Sequence, residues 1–191
     1  MKINAIFTII LCTLLLQGCI SAIVIGSTTI AIKSVTDPRT IGTQIDDGTL
    51  EIRITNALNK DQQLKKNARV IVTVYQGKIL LTGQALKISL SNRAKQIASH
   101  TEGIHEIYNE IRQGKPINLT TVSLDAWITT KINFQLLASN LVKLSNIKII
   151  TENGEVFLLG LVTKQEGQSA ARIASKISKV KHVTTAFTFI K

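Results

Sequence analysis

The sequence predicts an α+β protein built from two copies of one small module, each with the element order α-β-β-α-β. First, a pattern of apolar residues recurs after 76 to 78 residues. Second, Gln76-Gly77 and Asn153-Gly154 each separate two runs rich in β-branched residues and leucine, as in a β-hairpin. Third, apolar residues spaced by four indicate an amphipathic helix before each hairpin. We therefore expect two three-stranded mixed sheets, each covered by two helices.

The duplication is visible in three blocks of sequence. Residues 47–58 recur at a spacing of 78, residues 72–83 at a spacing of 77, and residues 97–107 at a spacing of 76. One-residue slips between the blocks fall in predicted loops, as expected of duplicated modules.

The first 18 residues predict a cleaved signal peptide. Lys2 provides a short positive start, and residues 3–16 form an apolar run that is too short to span a membrane. The segment Leu16-Gln17-Gly18-Cys19 resembles the lipobox of bacterial lipoproteins, in which the cysteine becomes the acylated N-terminus. Acyl chains on Cys19 are expected to hold the mature protein to a bilayer.

A transmembrane anchor is the alternative, because residues 20–32 are also rich in isoleucine, valine and alanine. Glycine, serine and threonine dilute that stretch, which favours the lipoprotein interpretation. The residue after Cys19 is Ile20 and not aspartate, and the sorting rule of diderm bacteria then predicts the outer membrane. Cys12 would leave with the signal peptide, so no disulfide is expected.

Two linkers predict the domain boundaries. Pro38 interrupts a polar stretch, so residues 19–45 are expected to be the lipidated N-terminus and a linker. Gly114-Lys115-Pro116 begins the second linker, which we place at residues 115–122. The two domains are then residues 46–114 and residues 123–191.

Within each domain the elements follow in the same order. Asp47 and Asp125 stand near the predicted start of the first helix as candidate N-caps. The first strands are predicted at residues 70–75 and 147–151, with hairpin partners that end at Gly83 and Gly160. The second helix is expected at residues 90–101 and 168–177, and the last strand at residues 105–111 and 182–190.

The glycines are interpreted as structural residues that permit backbone conformations or contacts closed to other residues. Gly77 and Gly154 are expected to adopt positive φ in the turns. Gly83 and Gly160 are expected to allow close packing where the end of the hairpin meets a helix.

With these glycines, a hairpin ending in Leu-x-Gly, and a helix followed by a valine-rich strand, each half resembles a BON domain. Together with the lipobox, the whole chain is similar to the two-domain BON lipoproteins of the enterobacterial outer membrane. The resemblance implies binding to anionic phospholipid such as phosphatidylglycerol or cardiolipin, enrichment at the division site, and support of outer-membrane integrity.

No catalytic, metal or cofactor site is predicted. His100, His105 and His182 lack the spacing of metal ligands, and no phosphate-binding loop or nucleophile triad is present. The formal charge of +11 favours a polyanionic partner, but export argues against nucleic acid.

The first helices of the two copies differ on one face. Trp127, Lys131, Phe134 and Leu137 line a second face in the second copy, and their counterparts in the first copy are the polar residues Thr49, Arg53, Asn56 and Asn59. The resemblance implies phospholipid binding on this helix and carries over Trp127 and Leu137 by position, whereas Phe134 follows from the helical period. The sequence from Asp125 onward contains nine basic and four acidic residues, and this positive charge supports an anionic surface as partner.

Two alternatives stay open for this face. Trp127 and Phe134 can instead pack on the first domain or on a loop. The same face can also dock a protein, such as a component of the β-barrel assembly machinery or a regulator of cell-wall hydrolases.

Overall fold

A computed structural model describes residues 39–191. The predicted signal peptide, Cys19 and most of the first linker lie outside the described residues. In the described part, two modules with the same element order follow each other along the chain, as the repeat predicts.

The first module contains three helices and three strands. In chain order, they are α1 (Ile41–Lys60), α2 (Gln62–Asn67), β1 (Ala68–Tyr75), β2 (Lys78–Ala85), α3 (Ile88–Ser99) and β3 (Glu106–Gln113). The short α2 was not predicted. It follows α1 after one residue, Asp61, whose carboxylate accepts from the backbone N–H groups of Gln63 and Leu64 and pairs with Arg93.

The second module repeats this plan with a 3₁₀ turn, Leu144–Asn146, in place of α2. Its elements are α4 (Leu119–Ala138), β4 (Ile147–Glu152), β5 (Glu155–Val162), α5 (Lys164–Ser175) and β6 (His182–Phe189). A capping box between Thr163 and Glu166 begins α5.

Each sheet is mixed and has its second strand in the centre. In the first sheet β1 and β2 are antiparallel and β2 and β3 are parallel, and β4, β5 and β6 repeat the arrangement. Each hairpin turns on two residues with positive φ, Gln76 and Gly77 at 53° and 69°, and Asn153 and Gly154 at 52° and 76°. Two successive positive φ values define the type I′ turn that suits the twist of a hairpin. The predicted α+β fold with two mixed sheets is confirmed.

The prediction that Asp47 and Asp125 cap the first helices is wrong. Both lie inside a helix, and both are buried, at 5% and 4% exposure. Asp125 accepts hydrogen bonds from the backbone N–H groups of Asn153 and Gly154, each at 2.7 Å. Asp47 binds the turn at Gln76 and Gly77 in the same way. These aspartates therefore hold the hairpin turn against the first helix.

The true N-caps lie further upstream and lengthen both helices. Thr40 accepts from the backbone N–H of Thr43, and Asn118 accepts from that of Thr121. As a result α1 begins inside the segment predicted as residues 19–45, and α4 begins inside the linker predicted as residues 115–122. Apolar spacing missed these first turns because they bury no side chain.

Gly83 and Gly160 allow a close approach of backbone, but not of a helix as predicted. A Cβ atom on Gly83 would lie 1.9 Å from the backbone oxygen of Arg69, and one on Gly160 would lie 2.3 Å from that of Asn146. The neighbour is therefore the antiparallel strand, or the residue just before it, in each hairpin. Gly83 also has a φ of 121°, which residues other than glycine rarely adopt.

Each module has its own apolar core between sheet and helices. In the second module Ile128, Ile132 and Leu136 of α4 are fully buried, and they pack with Val156 and Leu158 of the central strand. In the first module Leu50, Ile54 and Leu58 of α1 occupy the matching positions, beside Ile79 and Leu81.

The opposite face of each sheet is also buried, because the two sheets pack on each other. Tyr75 and Leu80 of the first sheet form a third apolar cluster with Phe157 and Leu159 of the second, and Tyr108 borders it. The sequence predicted only one covered face per sheet, so this contact was missed.

Polar groups cross the same interface. Buried Glu152 pairs with Arg69 and accepts a 2.6 Å hydrogen bond from Nε2 of Gln84. Arg112 forms a two-point contact with Glu155, with Nε to Oε1 at 3.1 Å and Nη2 to Oε2 at 2.6 Å. Residues 39–191 thus form one folded unit with two complete cores and a shared interface.

Candidate functional site

The four residues singled out on α4 share an exposed surface. Trp127 is 43% exposed, Phe134 66% and Leu137 65%, although each is a large apolar side chain. Lys131 places its Nζ atom 5.7 Å from the centre of the Trp127 ring, which is cation–π distance. We call Trp127, Lys131, Phe134 and Leu137 the α4 face.

Local sequence explains why this face points outward. Asp125, Ile128, Ile132 and Leu136 bury one side of α4, and Trp127 and Phe134 lie on the other side of the same helix at seven-residue spacing. The core needs only the first set. Because Trp127 is 43% and Phe134 is 66% exposed, neither side chain is enclosed by the first domain or by a loop.

Further large apolar side chains are exposed on α4 and just after it. Leu124 and Leu141 are 39% and 60% exposed, and Leu119 is 83% exposed in the first turn of α4. Sequence reasoning missed Leu119 because the first turn was assigned to the linker, and Leu124 because the helix was expected to start near Asp125. It missed Leu141 because that residue lies past the helix end.

The corresponding helix of the first module is polar at the matched positions. Thr49, Arg53, Asn56 and Asn59 are all exposed there. A separate row on α1, Ile41, Ile45 and Ile52, is 62% to 77% exposed and was also missed by the sequence analysis. That row is aliphatic and contains no aromatic residue, so the aromatic face remains specific to α4.

Asp61 and Tyr108, two ionisable groups outside the α4 face, have shifted pKa values. Hydrogen bonds from the Leu64 backbone and from Arg93 lower the pKa of Asp61 below its usual range. A hydrogen bond to Glu106, together with burial, raises the pKa of Tyr108 to about 12. Within residues 39–191, no group of three or more histidines, cysteines or acids is placed to hold a metal ion.

Among the described residues, no helix is both long enough and apolar enough to cross a bilayer.

Comparison with known proteins identifies both modules. The chain matches the BON domain over residues 46–115 and again over residues 124–191. It is 45% identical over 178 residues to the outer membrane lipoprotein DolP of Haemophilus influenzae, covering 93% of this chain and 92% of the relative. It is 46% identical over 155 residues to the 21 kDa hemolysin of Actinobacillus pleuropneumoniae, covering 81% and 80%. The osmotically-inducible protein Y of Escherichia coli is 26% identical over 146 residues.

These similarities confirm the resemblance drawn from the glycines, the hairpins and the lipobox. The match to an outer membrane lipoprotein covers nearly the full length of both chains, and it confirms the predicted lipid-anchored location at the outer membrane. Acylation of Cys19 itself remains a prediction, because that residue lies outside the described part of the chain. With two BON domains in tandem and a full-length lipoprotein relative, the chain belongs to the BON-domain family.

Proposed function

We propose that the protein binds anionic phospholipid through the α4 face and thereby supports outer-membrane integrity, with the division site as its place of action. The proposal assigns it no catalytic activity. The observation that carries the proposal is the exposure of Trp127, Phe134 and Leu137 beside the amino group of Lys131.

A lipid surface suits this combination of side chains. Tryptophan prefers the region between headgroups and acyl chains, and lysine extends its charge toward lipid phosphates while its methylene groups stay in apolar surroundings. The protein is tethered to the outer membrane, so the face needs to add only modest affinity of its own.

The net charge of the second domain favours an anionic rather than a neutral lipid. The residues from Asp125 onward carry nine lysines and arginines against four acids. Each basic side chain close to an anionic surface contributes about 1 kcal/mol.

The test uses a soluble form, residues 20–191, which lacks Cys19 and keeps the whole described unit. Sedimentation with vesicles of phosphatidylglycerol and phosphatidylcholine compares the original chain with Trp127→Glu. Burying the exposed part of Trp127 is worth about 2 to 3 kcal/mol, so its loss should weaken binding tens-fold or more. Circular dichroism should stay unchanged, because the side chain is outside the core.

Asn56→Glu is the matched control, because Asn56 stands on α1 where Phe134 stands on α4; it should bind vesicles normally. Ile45→Glu tests the aliphatic row of α1 and is expected to weaken vesicle binding less than Trp127→Glu does. Binding should also weaken with added salt, which screens the lysines. Normal vesicle binding by Trp127→Glu, together with loss of an envelope protein partner, would favour the protein-docking alternative.

A further inference from the structure

A strongly basic segment joins the last helix of the second domain to its last strand. Residues 172–183 contain Arg172, Lys176, Lys179 and Lys181 and no acidic residue. The matched residues of the first domain, 96–107, contain Glu102 and Glu106 and neither lysine nor arginine. The same structural segment therefore carries opposite charge in the two copies.

Folding requirements do not explain this difference. In both copies the apolar positions of the segment are kept: Ala98 and Ala174 are buried in the cores, and Ile104 and Val180 pack against them. The last turn of α3 contains no basic residue, whereas that of α5 contains Arg172, so the helix end does not require one.

The basic residues also lack acidic partners. Among residues 39–191, Arg172, Lys176, Lys179 and Lys181 form no ion pair, whereas Arg69, Arg93 and Arg112 all do. An unpaired cluster of this kind attracts an anion from solution.

Part of the cluster lines a cleft of about 430 Å³ between α5 and β6. Arg172, Lys181 and His182 are exposed along it, and Ala171, Val180 and Val183 are half-buried in its wall. The cleft therefore combines cationic groups with a small aliphatic surface.

The cleft is coupled to the base of α4 through the second hairpin turn. The Lys181 Nζ atom donates to Asn153 Oδ1 at 3.1 Å, and the Lys181 backbone N–H donates to the Gly154 oxygen at 2.9 Å. The backbone N–H groups of Asn153 and Gly154 bind Asp125 of α4. Lys181 thus lies at the end of the domain where Asp125 holds the turn. Asp125 itself precedes Trp127 by two residues on α4.

We propose that this cleft binds the phosphate group of a membrane lipid headgroup, as a contact separate from the α4 face. The planar guanidinium of Arg172 matches phosphate oxygens, and Lys181 adds a point charge. The aliphatic wall accommodates the glycerol carbons beside the phosphate, which inorganic phosphate lacks. The inference rests on the proposed function, because the α4 face brings the domain to the membrane.

The experiment follows amide NMR signals of residues 20–191 during titration with dihexanoyl-phosphatidylglycerol below its micelle concentration. Sodium phosphate and dihexanoyl-phosphatidylcholine are titrated in parallel. We expect saturable shifts in residues 172–183 with phosphatidylglycerol. The double variant Arg172→Gln/Lys181→Gln should weaken this binding roughly thirtyfold, since two basic contacts are removed.

Lys65→Gln/Lys66→Gln is the charge-matched control on the first domain and should bind normally. Trp127→Glu should keep the shifts in residues 172–183, because monomeric lipid does not need the α4 face. If Trp127→Glu still binds vesicles while the cleft shifts persist, only the proposed function fails. The cleft proposal is overturned if the shifts are absent, if the double variant retains them, or if inorganic phosphate saturates the cleft at the same concentration as the lipid.

Discussion

Gln84 of the first domain donates from Nε2 to Oε1 of Glu152 in the second domain across 2.6 Å, in the buried contact between the two sheets. The Oε1 atom of Gln84 also accepts from the backbone N–H of Ile117, in the segment that joins the domains. A single amide therefore connects the first sheet, the linker and the second sheet. Because Glu152 also pairs with Arg69, its carboxylate is the central polar group of the interface.

Replacing Glu152 with alanine should destabilise the whole described unit. The change leaves Gln84 and Arg69 without their acceptor in a place that water reaches poorly, which costs about 2 to 4 kcal/mol. Urea unfolding measures the loss. Glu102→Ala, at an exposed position of the first domain, serves as control and should change the free energy of unfolding by less than about 0.5 kcal/mol. Equal stability of the two variants would contradict the assigned role.

Asp125→Asn should lower stability by about 1.5 to 3 kcal/mol, because an amide cannot accept from both backbone N–H groups with the strength of a carboxylate. Thermal unfolding followed by circular dichroism provides the measurement. Asp46→Asn, an exposed neighbour of the matched Asp47, is the control and should be nearly neutral. If the two variants melt alike, the turn does not depend on the buried carboxylate.

Gly160→Ala should destabilise the second domain by at least about 1 to 3 kcal/mol, since the new Cβ would lie 2.3 Å from the Asn146 oxygen and the backbone must shift. Gly48→Ala provides the opposite control. Gly48 lies within α1 with no atom within 4 Å of an added Cβ, so alanine there should stabilise by up to about 1 kcal/mol. An unchanged melting temperature for Gly160→Ala would show that the close approach is not required.

Tyr108 should titrate at about pH 12, because the Glu106 contact and burial raise its pKa from 10.0. Absorbance at 295 nm in a Tyr75→Phe background isolates this residue. The raised pKa favours the protonated phenol in the folded state, so its contribution to stability is complete below pH 10 and declines as the pH rises toward 12. Glu106→Gln should return the midpoint toward 10, and a midpoint that stays near 12 would assign the shift to burial alone.

Much of the fold follows from local patterns. Core stripes such as Ile128, Ile132 and Leu136 identify the helices, and the Asn153-Gly154 pair identifies a hairpin, because both depend on short-range geometry. The α4 face could also be proposed from sequence, since its residues share a helix side. The N-caps were missed because the turns they begin contain no buried residue.

The back-to-back contact of the sheets is also indicated by the sequence, through runs of consecutive apolar residues in the two central strands. Ile79, Leu80 and Leu81 are consecutive and all buried, as are Val156, Phe157 and Leu158. A strand with one covered face alternates apolar and polar residues, whereas a strand covered on both faces is continuously apolar. These runs therefore indicate a second covering layer, although they do not identify it.

The sequence by itself determined the duplication, the order of helices and strands and the asymmetry between the α1 and α4 faces. The duplication is a repeated sequence pattern, and the other two features depend on residues close together along the chain. Only the tertiary structure decided that the two sheets share an interface, that Asp47 and Asp125 bind turns instead of capping helices, and that Arg172 and Lys181 line one cleft. The sheet contact and the aspartate–turn contacts join residues well apart in the chain, and apolar spacing carries no information about which distant polar groups will satisfy one another. Arg172 and Lys181 are closer in the chain, but one lies on α5 and the other in the loop before β6, and only the fold brings both to one cleft.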